Sequence, residues 1–217
     1  MDNVSIYFKR KEGRWWNLNL VEPIKDKDTV RNIIDYLKNN SERDSILFLI
    51  GIYTGLRISD ILKLHVKDVV GKNSLNIRDN KTKKINRIEF NPELKKALDN
   101  YTKDKDSKEF LIKSRKGTNK PIKRGQAYKI LKQAAKLYNL DNIGTHSLRK
   151  TFGYHLYEQT KDIIQVQKAL NHEDASYTRR YIGIDSEIIN KSIKKLRYWD
   201  LLITCFNVVV SLDYMIA

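Results

Sequence analysis

Four short segments hold the residues with the most specific chemistry in this chain. They are Thr54-Gly55-Leu56-Arg57-Ile58-Ser59-Asp60, His146-Ser147-Leu148-Arg149, Leu170-Asn171-His172 and Tyr181-Ile182-Gly183. Together they supply two arginines, two histidines and a tyrosine, a set that can attack a phosphodiester without a metal. Arginine forks bind non-bridging phosphate oxygens. Held in place, they stabilise the extra charge of a pentacoordinate phosphorus. Histidine moves protons near neutral pH. Tyrosine is a nucleophile only with help: a pKa near 10 leaves roughly one part in a thousand ionised at pH 7, a cost of about 4 kcal/mol. The 5′-hydroxyl it would displace is a poor leaving group and needs a general acid. A phosphotyrosyl link keeps one ester for each ester broken, so rejoining needs no ATP. Taken singly, each residue has an ordinary structural reading. Arg57 would be a surface arginine after a Gly-Leu turn, and His146 and Arg149 helix neighbours three apart. His172 would be a capping or surface histidine, and Tyr181 one of 12 tyrosines, in the core or at its rim. The ordered set carries the reading.

Hydrophobic periodicity indicates the elements that must position these groups. Val30, Ile33, Ile34 and Leu37 fall at i, i+3, i+4 and i+7, a helix stripe with Asp26 or Asp28 as its N-cap. A more apolar helix runs through Ile46, Leu47, Leu49, Ile50 and Tyr53 and is closed by Gly55. A short helix begins in Arg57 to Leu64. Leu75 and Ile77, then Ile88 and Phe90, alternate with polar residues about a turn at 79–84, which predicts a β-hairpin. Asn91-Pro92 opens a helix carrying Leu94, Ala97, Leu98 and Tyr101. Lys113 to Arg124 reads as a basic loop for DNA contact, through Lys113, Arg115, Lys116, Lys120, Lys123 and Arg124. Further helices carry Leu131, Ala134, Ala135 and Tyr138; Leu148, Phe152 and Leu156, with Thr145 as cap; Ile163, Val166 and Leu170; and Ile189, Ile193 and Leu196. The expected fold is mainly α with a small antiparallel β-sheet (α+β). The expected organisation is a basic, aromatic stub at 1–22, one domain at 23–198 and an apolar tail at 199–217.

Composition narrows the function. A formal net charge of +16 on 217 residues favours a polyanionic partner, most simply nucleic acid. One cysteine, Cys205, excludes an internal disulfide and a cysteine-based metal cluster, and the four histidines form no His-Glu-x-x-His pattern. Neither a metal nor another cofactor is expected. The first 19 residues lack the apolar core of a secretory signal, which implies a cytoplasmic protein. The tail from Leu201 to Ala217 is apolar but short of the ~20 residues of a membrane span, and it contains Asn207 and Asp213. A docking segment or an extension is expected there, not a membrane anchor.

From about Glu22 to Arg197 the chain resembles the tyrosine recombinase (phage integrase) family. Thr54 to Asp60 looks like the family's first arginine box, placing the first catalytic arginine on Arg57 and an orienting acid on Asp60. Thr145-His146-Ser147-Leu148-Arg149 resembles the His-x-x-Arg box, with His146 handling protons and Arg149 as the second arginine. Leu170-Asn171-His172 is similar to Leu-Gly-His, with Asn171 in place of glycine and therefore expected in a left-handed conformation. The nucleophile of the family lies nine residues beyond this histidine, which falls on Tyr181; Tyr177 has the wrong spacing. Asn80-Lys81-Thr82-Lys83 resembles the family's lysine turn, which implies Lys81 as leaving-group acid, with Lys83 and Lys84 close by. The family's separate N-terminal clamp domain has no counterpart in the 22 or so residues before the match.

The resemblance implies a site-specific DNA recombinase. Tyr181 attacks the scissile phosphate, leaving a 3′-phosphotyrosyl link and a free 5′-hydroxyl. Arg57, Arg149 and His172 hold the phosphate; His146 and Lys81 move protons. The implied partners are double-stranded DNA and further copies of the chain in a synaptic assembly. Two other readings are a type IB topoisomerase, which uses similar chemistry to relax supercoils, and a non-catalytic DNA-binding remnant of an integrase.

Overall fold

Helix α2 (Glu42–Thr54) buries seven consecutive residues, Ser45 to Gly51. A helix apolar on all sides is stable only with neighbours all round. Those neighbours are α1 (Lys27–Asn40), α4 (Pro92–Thr102) and α6 (Thr145–Thr160). The computed structural model describes residues 7–9, 15–17, 21–78, 85–184, 190 and 193–196. Element order continues through α3 (Ile58–Ile61), a 3-10 turn (Val66–Asp68), strands β3 (Ser74–Arg78) and β4 (Ile85–Glu89), and α5 (Arg124–Lys136). Beyond α6 come α7 (Ile163–Ala169) and α8 (Ala175–Ile182).

The expected stripes face inward. On α1, Ile33 and Leu37 are buried, and Asp26 is the cap, its carboxylate accepting the Thr29 N–H at 2.7 Å. Asn91 caps α4 with Pro92 in the first turn, where no N–H is required. β3 and β4 pair antiparallel with Leu75 opposite Ile88, and Leu75 reaches the core. One buried cluster joins α2 to α3, β3, α4 and Leu111-Ile112; a second joins α1, α5 and α6 through Phe48, Leu131 and Leu148. Residues 79–84, expected as the hairpin turn and holding Lys81, Lys83 and Lys84, lie outside the described residues, as do 189, 191 and 192 of the helix expected at Ile189 to Leu196, of which 190 and 193–195 are helical.

Three local expectations need correction. The N-terminal stretch read as a stub contains a pair of antiparallel strands, β1 (Tyr7–Lys9) and β2 (Trp15–Asn17). Their aromatic residues favour strands, and Gly13 lies between them. The cap of α6 is Gly144, not Thr145: the Gly144 N–H donates to Ser147 Oγ at 3.0 Å, and Thr145 is the first helical residue. The basic stretch 113–124 is only partly a free loop. Lys113 pairs with Glu109 at 2.6 Å and forms a β-bridge with Pro121, while Arg124 opens α5. Arg115, Lys116, Lys120 and Lys123 are exposed.

The chain divides into two compact units, Met1–Ile182 and Gly183–Ala217. Among the described residues, no helix is long and apolar enough to cross a membrane.

The end of α2 fixes the backbone beneath the site. Gly55 takes φ 64°, and its N–H closes the helix on Gly51 O at 3.1 Å. A Cβ here would be strained by the left-handed backbone and would overlap the Phe152 ring of α6. Gly55→Ala is therefore expected to lower the unfolding free energy by at least ~1 kcal/mol in urea denaturation. In a Phe152→Ala background the penalty shrinks toward the backbone term but does not vanish.

Candidate active site

Arg149 projects from the first turns of α6 and is 7% exposed. Its Nη1 donates to Gly55 O at 2.5 Å, and its Nη2 donates to Leu170 O. These carbonyls belong to the turn after α2 and the turn after α7, so one guanidinium fixes both. Burial works against its charge; Tyr181 and Asp60 support it, while Arg57 opposes it.

The turn after α7 is a Schellman closure. The Asn171 N–H reaches Lys168 O and the His172 N–H reaches Gln167 O, both at 3.0 Å. Asn171 occupies the position where glycine is usual, with φ 48°, in the left-handed conformation its sequence context predicts. Three residues later Asp174 starts α8: its carboxylate accepts the N–H groups of Ser176 and Tyr177 at 3.1 and 3.0 Å, which holds its pKa down. His172 is thus fixed between one helix end and the next helix start.

Tyr181 follows two turns into α8, half-buried, its ring edge-on to His172 with centroids 4.9 Å apart. Tyr177 packs against both rings. On another side, Lys150 Nζ lies 5.2 Å from the Tyr181 ring centre. Burial raises the Tyr181 pKa; Arg149, which hydrogen-bonds it, and Arg57 act in the opposite sense and favour the phenolate. The approach of α8 to α6 depends on Gly153: an added Cβ would sit 2.7 Å from Ile182 Cγ2 and 3.0 Å from Leu170 Cδ1.

Arg57, the N-cap of α3, is exposed and faces the same open pocket, as do Asp60 and His146. Asp60 makes no ion pair with Arg57 among the described residues; its favourable effect falls on Arg149. His146 has Nε2 3.5 Å from Arg124 Nη2. A guanidinium only donates, so that nitrogen accepts. Partial desolvation, then Arg124, Arg149, Lys150 and Arg57, lower the His146 pKa. The His172 pKa falls to about 4, through burial and then Arg149 and Arg57.

Arg57, Asp60, His146, Arg149, His172 and Tyr181 therefore line one basin. Lys81 lies outside the described residues. Asn86 and Arg87 of β4, Lys168 and Tyr177 also line the basin, although the sequence reading assigned them no role. Only the turn chemistry around 170–174 signalled its own geometry. Among the described residues no cluster of His, Cys, Asp and Glu is arranged to hold a metal.

The profile of the Phage integrase family matches residues 25–187. The chain belongs to the phage integrase, or tyrosine recombinase, family. It is 48% identical over 177 residues to the probable integrase/recombinase YoeC of Bacillus subtilis (strain 168), covering 82% of this chain and 97% of that relative. Among solved recombinase structures, XerA matches 82% of this chain with a TM-score of 0.65 at 20% identity. XerH bound to a palindromic difH substrate, in a post-cleavage complex, matches 81% with a TM-score of 0.62 at 20% identity. The chain spans 65% and 53% of those two recombinases, and the likeness shows a shared fold.

The histidines give this recombinase-family fold a pH dependence of definite sign. A histidine depressed to about 4 when folded, against ~6.5 unfolded, binds its proton first in the unfolded chain. Its contribution to stability is complete above ~6.5 and is lost as pH falls toward about 4. His146 and His155 act in the same direction. Denaturation midpoints are expected to fall steadily across that window, and His172→Gln to reduce the slope. A slope unchanged by His172→Gln would contradict the assignment.

Proposed function

We propose that this chain is a site-specific DNA recombinase that cuts and rejoins strands through a 3′-phosphotyrosyl intermediate. The observation that carries the reading is the convergence of Tyr181, Arg149, Arg57, His146 and His172, from four separate segments, on one open basin. Two guanidiniums beside Tyr181 favour its phenolate, but burial outweighs them and the phenol stays above its usual pKa, so attack needs a base. The same cations suit a phosphate passing through a pentacoordinate state.

Tyr181 Oη attacks the phosphorus, its proton passes to a nearby base, and the bond to the 5′-oxygen breaks. That oxygen takes a proton from an acid, assigned to Lys81 in the segment that joins β3 to β4 in sequence, with His146 as a further proton-handling group. Reversal by an incoming 5′-hydroxyl rejoins the strand, so the step needs no nucleotide. Arg57 and Arg149 act on developing charge. Double-stranded DNA is the substrate class, as difH is for XerH. The exposed Arg115, Lys116, Lys120 and Lys123, together with Arg124 beside His146, supply phosphate contacts. Exchange between two duplexes requires more than one active site, hence self-association on DNA.

Incubation with a nicked suicide duplex is expected to trap an SDS-stable adduct on Tyr181 that persists in EDTA. Tyr181→Phe abolishes it and Tyr177→Phe does not. Arg57→Ala slows the step by ~10²–10³-fold, the scale of a lost oxyanion donor, with little change in affinity. An adduct surviving Tyr181→Phe would sink the assignment.

A separate expectation isolates the leaving-group acid. A 5′-bridging phosphorothioate makes the leaving group good without protonation. It is expected to rescue Lys81→Ala and not Arg57→Ala; rescue of Lys83→Ala or Lys84→Ala instead would move the role to that lysine.

A further inference from the structure

Arg149 and Lys150 are the two buried charged side chains among the described residues. Arg149 is committed to two backbone carbonyls. Lys150, the next residue on α6, is 8% exposed and makes no ion pair among the described residues. An ammonium taken out of water is costly unless something negative faces it. Two groups do. The Tyr181 ring has its centre 5.2 Å from Lys150 Nζ, inside the ~6 Å reach of a cation–π contact. The Glu22 carboxylate acts from further off, holding up a lysine pKa that burial pulls down. Elsewhere the Tyr181 ring meets uncharged rings, His172 edge-on at 4.9 Å and Tyr177 tilted at 5.9 Å, while Arg149 hydrogen-bonds it. The His172 edge is fixed in turn, since its Nδ1 lies 3.1 Å from the hydroxyl of the buried Thr178. Lys150 does not line the basin. Whatever it does for the reaction, it does through Tyr181 and not on the phosphate.

We propose that Lys150 is a positioning residue whose ammonium packs over the Tyr181 ring, fixing the ring and favouring its phenolate both when Tyr181 attacks and when it leaves on rejoining. This rests on Tyr181 being the nucleophile. Cation–π attraction is electrostatic, so it grows as the phenol gives up its proton and negative charge spreads over the ring. The contact is then stronger in the reacting states than in the resting phenol. An interaction of that kind raises rate and leaves affinity alone. Lys150 neither gives nor takes the proton. The Tyr181 Oη–H bond breaks toward a base, Oη bonds to phosphorus, and the 5′-oxygen leaves with a proton from the acid. On rejoining, the incoming 5′-hydroxyl loses its proton and bonds to phosphorus, the Oη–phosphorus bond breaks, and the phenolate departs beside the same cation.

The contact is measurable without DNA. In proton–carbon spectra of the full chain with labelled lysine, the Lys150 ε-protons are expected to be displaced upfield by the Tyr181 ring current. In Tyr181→Leu they return to the ordinary lysine position. In the suicide-duplex assay Lys150→Met, which keeps the length and removes the charge, slows adduct formation and rejoining by ~10-fold each, the scale of a desolvated cation–π contact. DNA affinity is retained, and the urea midpoint does not fall, because a buried charge has been replaced by an apolar chain. Lys150→Arg, which is always charged, recovers most of the rate. Undisplaced ε-protons in the wild-type chain overturn the proposal, and that measurement needs no variant to fold. So does a Lys150→Met rate equal to wild type, a Lys150→Arg rate no better than Lys150→Met, or a loss of affinity as large as the loss of rate. If the ε-protons are displaced but the wild-type chain forms no adduct on Tyr181, the recombinase reading fails and the Lys150–Tyr181 contact stands.

Discussion

The bridge from Arg149 to two backbone carbonyls is the interaction on which the site depends. Gly55 and Leu170 are separated from it by 94 and 21 residues of chain. Each carbonyl closes a helix, so neither has a further turn of its own helix to donate to it. The guanidinium fills that vacancy at both ends at once, with charge-assisted bonds in a buried setting. Lysine could not span the two, since it carries a single point of charge. The same group that would stabilise a phosphate thus also sets where the first arginine box and the Leu-Asn-His turn lie. The proposed phosphate contact and the architecture share one side chain, so replacing it disturbs both.

Around that bridge the electrostatics are one-sided. Arg57, Arg124, Arg149 and Lys150 all act on His146, and two of them act on His172. The histidines respond by staying neutral, which keeps them able to accept protons at physiological pH. The same cations also favour the deprotonated form of Tyr181, but burial outweighs them and its pKa is raised. A cation cluster of this kind is costly in isolation and is relieved by a polyanion, which makes it a binding determinant as well.

The sequence exposed the elements that obey a local rule. The α1 stripe, the Asn91-Pro92 start, the Gly55 closure and the left-handed Asn171 all follow from periodicity or turn chemistry confined to a few residues. So did the candidate residues of the basin, because their spacing along the chain is itself a pattern. What stayed hidden depends on distance through space. That Arg124 reaches His146, that Thr178 touches His172, and that Arg149 is spent on two carbonyls cannot be inferred from neighbours in sequence. The N-terminal strand pair was missed for another reason: three-residue strands are too short for alternation to register. The shift of the α6 cap from Thr145 to Gly144 is of the same small scale, since both residues can begin a helix.

Gly153 stands one helical turn beyond Arg149 on α6, against Ile182, the residue after Tyr181. It carries no functional group, yet the gap between arginine and tyrosine is set there. A single methyl at that position would act as a spacer, pushing α8 outward by a few tenths of an ångström while every reacting group stayed chemically intact. The reach of Tyr181 is in this sense gauged by an empty volume. Drift in rate among related chains can then arise at a site that touches neither DNA nor any proton.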